Sequence, residues 1–512
     1  MASGKQSIAY SVVLISILGL ISKVVGLLRE GVYSFYLGTS QTADDFFLIY
    51  GFLTNVTALL GMSIGIAYLP VFVKDSEKLG DNVALRNCAC LMNRLFLVML
   101  LLTAFLFFFP HFWASIIAPT YNFDRQLIIS RYIRYFSLIV FMAVAVHIYA
   151  SVFDAQKRFG ISRVIGMSYS VLSILFLILF YNNWGFDALV YAVMVSFLLQ
   201  YAVSVFFLYK NVGYHWGLVP DSWRMQDLYK QIVPVFIGTG TLYVGQLIDR
   251  TVASTLAIGS VAALNYSGTL HSLINTLLIV SIVTVFYREF VGKFVKGQVV
   301  QMLHTLSRGI VVLVLLLVPI SIYSILNAED IIEFLLQRGA FTRESVKITA
   351  LAFAFYLIGT PFYGVRNLLT RAFYAMNDTR TPLLNGVGTI VLNVVLCLGF
   401  VYVFSMGIKG ITLASSLTAI VSSFLLLFSL HHKGFRLDYG ILVRESCKIL
   451  IAAMITVIVL LCLGKVLVDF SLVWRLMFSL LVLVGCYFVS LLLLANREAL
   501  YIYERIKQFI VK

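Results

Sequence analysis

Apolar runs about 20 residues long recur along the whole chain, separated by short polar connections. LFLVMLLLTAFLFFF, from Leu95 to Phe109, is one of the cleanest. In water each such run would need burial, and no soluble fold has interior enough for so many. Of the 512 residues, 61% are hydrophobic and 12% charged, against about 45–50% and about 25% in soluble domains. The solvent is therefore lipid. A backbone crossing lipid must satisfy its own hydrogen bonds, and about 20 apolar residues span the bilayer as a helix. The expected fold is an all-α polytopic membrane protein.

The pattern predicts fourteen spans, near 7–37, 44–73, 89–110, 126–154, 161–182, 186–209, 229–257, 261–287, 301–327, 345–376, 381–404, 408–431, 442–468 and 472–495. The division at Gly259-Ser260 is the thinnest, so twelve to fourteen is the defensible range. No low-complexity tract occurs, and the longest polar stretch, about 210–228, is too short for a soluble domain. The N-terminal run passes through charges into a second span without a small-residue cleavage site, so no cleavable signal is expected. Cys88 and Cys90, spaced C-x-C, and the scattered Cys397, Cys447, Cys462 and Cys486 read as packed small hydrophobes.

Basic residues set the expected orientation. Most of the 38 Lys and Arg fall in connections on one side, among them Lys74, Lys78 and Arg86; Lys157, Arg158 and Arg163; and Lys433, Arg436 and Arg444. That side should be the cytoplasm, with both termini there, in a bacterial cytoplasmic (inner) membrane. The net charge of +15 then reads as topology and attraction to anionic lipid. Nucleic acid is not an expected partner, because the basic residues are dispersed through many short loops.

The chain nearly repeats itself at a distance of about 220 residues. ASVFDAQKRFGISR (Ala150 to Arg163) lies over TRAFYAMNDTRTPL (Thr370 to Leu383), with Phe153 on Phe373 and Ala155 on Ala375. At nearly the same shift Arg29 meets Arg250, Gly38 meets Gly259 and Asp44 meets Asn265. Six spans per copy is an even number, so both copies enter the membrane from one side, as parallel repeats about an axis along its normal. The expected organisation is a six-helix bundle over 1–215, a second over 228–435, and two further helices with a tail over 440–512. Sites in such proteins tend to lie between repeats near the midplane.

Charges inside the spans mark that site. A charged side chain at the centre of a span costs roughly 2.5–3.5 kcal/mol on the insertion scale. Lys23, Arg29 and Glu30 lie within about 120° of one another on a helix. They must line a wet cavity, pair internally, or snorkel to an interface. A cavity that binds an anion would use Lys23, Arg29, Arg250 and Arg366, whereas an internal ion pair would use Arg29 with Glu30 and Asp249 with Arg250. His147 and His271 read as packed, hydrogen-bonded histidines. Asp45 reads as a cap on span two, with Asp44 left open. Glu329, Asp330 and Glu333 read as a solvated helix face. Nucleotide, hydrolase and metalloprotease motifs are absent, so transport would run on an ion gradient or the membrane potential.

Two stretches carry a family resemblance. QRGAFTRESVKITALAFAFYLIGTPFYGVRNLLTRAFYAMNDTRTP, Gln337 to Pro382, holds a G-x-F-T motif and then a span ending in F-Y-A-x-x-D-T-x-T-P. SKVVGLLREGVYSFYLGTSQTADDFF, Ser22 to Phe47, is the second. Both resemble the MurJ (MviN) lipid II flippases of the MOP exporter superfamily, and the resemblance extends over most of the chain. It implies a non-enzymatic flippase for a polyprenyl-pyrophosphate-linked saccharide, lipid II first. By the same resemblance Arg29 and Lys23 match cavity cations and Asp44 a first-loop aspartate. The partners implied are the lipid-linked oligosaccharide and membrane lipids. No cofactor is implied beyond a sodium ion, whose candidate ligands are Asp249, Asp378 and Asn393, or the membrane potential.

The sequence departs from the family pattern in places. The family's second span carries P-N-L-L-R-R where LTNVTALLGMSIG stands here, with Asn55 kept and the arginines replaced. Its eighth span carries Y-A-D-R where Tyr266-Ser267-Gly268-Thr269 stands. Two alternatives therefore remain open: a flippase for another lipid-linked glycan precursor, and a drug or cation antiporter of the superfamily.

Overall fold

Each long apolar run forms helix, because within lipid only intrahelical bonds satisfy the backbone of a single segment. The protein was studied as a computed structural model that describes residues 2–220, 225–466 and 470–510; no strand occurs among them. The chain divides into two compact units, Met1–Ala262 with Arg338–Phe341, and Ala263–Gln337 with Thr342–Lys512.

The first unit holds α1 (Ala2–Leu37), α2 (Gln41–Leu79), α3 (Asp81–Phe108), α4 (Pro110–Ile117), α5 (Phe123–Ser137), α6 (Val140–Ala155), α7 (Phe159–Trp184), α8 (Phe186–Tyr209) and α9 (Met225–Ser254). The second begins within α10 (Ser260–Ile274), which runs through a π-helical turn (Asn275–Val280) into α11 (Ser281–Val295). It continues with α12 (Val299–Leu326), α13 (Ala328–Leu336), α14 (Arg343–Ala375), α15 (Arg380–Leu398), a second π-helical turn (Gly399–Val403), α16 (Ile408–His432), α17 (Tyr439–Val466), α18 (Leu472–Leu493) and α19 (Arg497–Ile510).

Among the described residues twelve helices are long and apolar enough to cross a membrane, or thirteen if α5 and α6 form one span bent by 51°. The expected count of fourteen is thus approximate. The thin division at Gly259-Ser260 holds, with α9 ending at Ser254 and α10 starting at Ser260. The run 126–154 breaks at Leu138-Ile139, without a proline. There the amides of Leu138 and Ile139 bond to Tyr135 and Phe136, three residues back, which interrupts the regular ladder.

The repeat is written into the helix ends. The Arg158 amide donates to the Phe153 carbonyl at 2.9 Å, and the Asp378 amide donates to the Phe373 carbonyl at 2.9 Å. Between them Lys157 and Asn377 both take φ 59°. This is the six-to-one closure of a left-handed C-terminal cap, and Phe153 and Phe373 are each buried in their own core. Gly38 and Gly259, Gly185 and Gly407, and Gly213 and Gly434 recur as positive-φ turns at nearly the same shift.

Close packing depends on small residues, since lipid offers little hydrophobic drive for one helix to leave it for another. In α2, Gly61 and Gly65 form a G-x-x-x-G stripe against α6. A Cβ on Gly61 would lie 2.7 Å from the Val144 carbonyl oxygen, and one on Gly65 2.6 Å from Ser151 Oγ. In the second unit a Cβ on Gly359 of α14 would lie 2.6 Å from Ser416 Cα of α16. The Ser416 hydroxyl donates to the Phe355 carbonyl at 2.6 Å and accepts from the Gly359 amide at 3.1 Å.

Although α9 opens the second sequence copy, it groups with the first unit: the Ser63 and Thr239 hydroxyls share a 2.5 Å hydrogen bond, and Ser254 Oγ donates to the Ile117 carbonyl at 3.2 Å. The helix α18 packs beside α12 through Tyr487 Oη on the Leu315 carbonyl (2.9 Å) and Tyr323 Oη on the Leu476 carbonyl (2.8 Å), and α17 joins them through Ile449, Ala452 and Ala453. The face of α13 expected to be solvated is exposed at Glu329 and paired at its other two acids. Asp330 meets Arg475 of α18 at 2.6 Å, and Glu333 meets Arg343 at 3.7 Å.

Candidate substrate-binding site

Arg29 sits on the face of α1 turned to α7. Its side chain is 15% exposed, and Glu30 beside it 4%. Nη2 donates to Glu30 Oε1 at 2.6 Å, and Nη1 reaches Ser170 Oγ only at 3.5 Å. The guanidinium lies over Tyr169 at 4.9 Å and near Tyr33 at 5.5 Å, whose hydroxyls join at 3.0 Å. Aromatic faces stabilise a cation in a poorly hydrated place. Nε is buried with no hydrogen-bond partner among the described residues. An arginine has five N–H donors, so this one is paired yet keeps donors unused. Of the alternatives the sequence offers, the ion pair with Glu30 is formed, and it leaves Nε without a partner among the described residues. Lys23 lies half-buried on the same helix.

Arg250 is half-buried on α9, and its Nη1 donates to the Phe47 carbonyl of α2 at 3.2 Å. Gly51 makes the room: a Cβ there would fall 1.2 Å from Nη1. Asp249, its neighbour, is also half-buried.

Asp44 and Asp45 are both buried at the start of α2. Neither caps that helix. Ser40 does, accepting from the Ala43 amide at 3.2 Å, which corrects the role read for Asp45. Asp45 instead pairs with Arg125 of α5 at 2.7 Å, and Arg125 stacks over Tyr121 at 3.5 Å. Asp44 accepts from the Gly259 amide at 2.7 Å and the Ala262 amide at 2.8 Å. It therefore caps α10, where the free amides and helix dipole favour an anion.

In the second unit Arg366 lies half-buried over Tyr363 at 5.3 Å. Tyr363 is 6.4 Å from His271. His271 stacks on Tyr356 and hydrogen-bonds Thr360 Oγ1 at 3.1 Å, a packed histidine as its lone position in a span suggests.

The three candidate sodium ligands stand in different settings. Asp249 belongs to the first unit, Asp378 and Asn393 to the second. Asp378 precedes α15, accepts from the Thr381 amide and hydroxyl at 3.0 and 2.7 Å, and pairs with Lys433. Partial burial raises its carboxyl, but the Lys433 ammonium and the Thr381 donors outweigh that and hold it at about 2. Asn393 lies in α15, about 20 Å along that helix from its start, and donates to Ser415 Oγ at 3.3 Å. No cluster of three or more His, Cys, Asp or Glu side chains suited to a metal occurs among the described residues.

A duplicated all-helical body with charged side chains inside its spans defines a multi-pass membrane protein. A solved multidrug-resistance MATE transporter of the MOP superfamily, in an inward-facing conformation, superposes with a TM-score of 0.67 at 13% identity over 83% of this chain and 98% of its own. The solved structure described as lipid II flippase MurJ, inward closed conformation, superposes at 0.79 with 20% identity over 93% and 98%. The family model for lipid II flippase MurJ matches residues 33–484, and the chain belongs to that family. Relatives described as probable lipid II flippase MurJ include those of Borreliella burgdorferi, 22% identical over 84% of each chain, and Vibrio cholerae, 26% identical over 82% of each.

Proposed function

We propose that the protein is a transporter, not an enzyme, that moves lipid II across the bacterial cytoplasmic membrane by alternating access. Membership of the flippase family over residues 33–484 supports the reading. The observation that carries it is Arg29, a buried cation inside a span with a donor left unused. A pyrophosphate entering a low-dielectric path must exchange its water for charged donors. Arg29, Lys23 and Arg250 offer these in the first unit and Arg366 in the second. The basic connections favour both termini in the cytoplasm, and a sodium gradient or the membrane potential would drive the cycle.

A second reading has its own observation. Ala58 and Leu59 stand where the family's second span has arginines, which favours a lipid-linked glycan with fewer negative charges. Depletion in the source cell tests both. Accumulated lipid II supports the first reading; accumulation of a different lipid-linked glycan with lipid II unchanged supports the second and removes the first.

A further inference from the structure

The connection that follows α8 is strapped to α3, within the first unit. Gly213, at φ 75°, turns the chain out of α8, its amide bonded to the Tyr209 carbonyl at 2.8 Å. Residues 214–219 then run without regular structure past Cys90, Asn93 and Arg94, which share one face of α3 at i, i+3 and i+4. Asn93 Nδ2 donates to the His215 and Gly217 carbonyls, each at 2.9 Å. Arg94 Nε donates to the Leu218 carbonyl, and Cys90 Sγ to the Val219 carbonyl at 3.5 Å. Tyr214 Oη donates back to Asn93 Oδ1 at 2.8 Å. Side chains of one helix thus pair four carbonyls of an irregular segment. The side chains between those carbonyls turn outward: Trp216 is 81% exposed, Val219 70% and Leu218 45%.

The strap lies at the level where the lipid-facing surface begins. Arg94 ends the charged part of α3, and Phe96, Leu97 and Val98 directly after it are exposed. On α8 the exposed Phe206 and Phe207 come just before Lys210, whose ammonium lies 5.6 Å from the Phe206 ring. Arg158, of the basic α6–α7 turn, reaches the Phe207 carbonyl at 3.4 Å. Exposed apolar runs bordered by cations and aromatic rings mark the boundary between hydrocarbon and headgroups. From Lys210 to Pro220 there is no acidic residue for anionic headgroups to repel.

We propose that residues 214–219 are an interfacial anchor that inserts Trp216, Leu218 and Val219 into the bilayer leaflet at this basic end. In water the carbonyls of a loop find partners in the solvent; in the interface they need partners from the protein, and α3 supplies them. An indole suits that depth, with an apolar ring for the acyl chains and an N–H for the glycerol and phosphate oxygens. The anchor fixes the start of the connection between the two sequence copies to the membrane edge of the first unit. It does not depend on which lipid is transported.

The test uses the purified full chain in nanodiscs of phosphatidylcholine and phosphatidylglycerol. Wild-type emission minus that of Trp216→Phe isolates residue 216 from the other tryptophans. Lipid brominated on the acyl chain near the glycerol should quench most of that difference, and iodide in the water should leave it. Val219→Trp should add emission with the same two properties, and it carries the test if Trp216→Phe does not fold. Asn93→Leu, which removes the donor to two carbonyls, should shift the emission of residue 216 to the red and open it to iodide. Emission quenched by iodide and not by brominated lipid would place the strap in water and overturn the proposal. Emission open to neither quencher would mean that protein covers the strap, a second copy included, and would overturn it equally. An Asn93→Leu protein with unchanged quenching would remove the role given to α3.

Discussion

The guanidinium of Arg250 fills the space that a side chain at Gly51 would occupy, so close that a Cβ on Gly51 would lie 1.2 Å from Nη1. The two helices share that volume, and the carbonyl of Phe47 holds the arginine in it. Gly51→Ala should therefore act on Arg250. The long side chain can swing away, so the fold should tolerate the methyl, but the guanidinium would lose its place. Complementation should fall as far as in Arg250→Ala with protein abundance unchanged, and the double variant should be no worse than either single. A fully active Gly51→Ala would show that the position of Arg250 does not matter.

Arg29 and Glu30 separate stability from transport. Removing one partner of a buried ion pair costs roughly 3–5 kcal/mol, because the other charge stays behind. Arg29→Met should thus lower the melting temperature and abundance, and adding Glu30→Gln should restore both. Transport should stay lost in the double variant, because the donors proposed to bind phosphate are gone. Recovered transport would make the pair a structural brace only.

Asp44 contributes through the start of α10. Losing a helix cap costs about 0.5–2 kcal/mol, so Asp44→Ala should destabilise the protein by that order in a thermal-unfolding series. Asp44→Asn, which keeps one acceptor oxygen, should lose less. Wild-type stability in Asp44→Ala would return the residue to a direct role with substrate.

Much of this was legible in the sequence and some was not, for physical reasons. Apolar length alone dictates helices in lipid, and the 220-residue spacing that aligns Phe153 with Phe373 reappears as paired helix caps. The kink between α5 and α6 left no mark, because no proline makes it. Asp44 sits where a local cap would sit, yet it caps a helix more than 200 residues on; such closures arise only from tertiary structure. The same holds for Gly51, whose partner is on α9, and for Asp330, whose partner is on α18. The stripe at Gly61 and Gly65 was a readable signal for the α2–α6 contact.

The carboxyl of Asp378 predicts a pH dependence. Its folded value of about 2 lies below the unfolded value of about 3.9. The stabilisation is thus present above about pH 4 and lost as pH falls through about 2. The residue is half-buried at the protein surface and its partner Lys433 is exposed, so solvent screens the effect and it should be small. Melting of the wild type should exceed that of Asp378→Asn at pH 6, and the two curves should converge in the acid range. Curves separated by the same interval at every pH would mean that Lys433 does not act on this carboxylate.

The direct measurement of the central claim is translocation by the purified protein in sealed liposomes. Fluorescent lipid II is placed in one leaflet, and its arrival in the other is read by an impermeant quencher. The wild type should exchange the lipid far faster than empty liposomes. Folded Arg250→Ala should be slower by about tenfold or more, the loss expected from one charge-assisted phosphate contact of about 1.5–3 kcal/mol. Wild-type liposomes no faster than empty ones, under an imposed sodium gradient and membrane potential, would contradict the account.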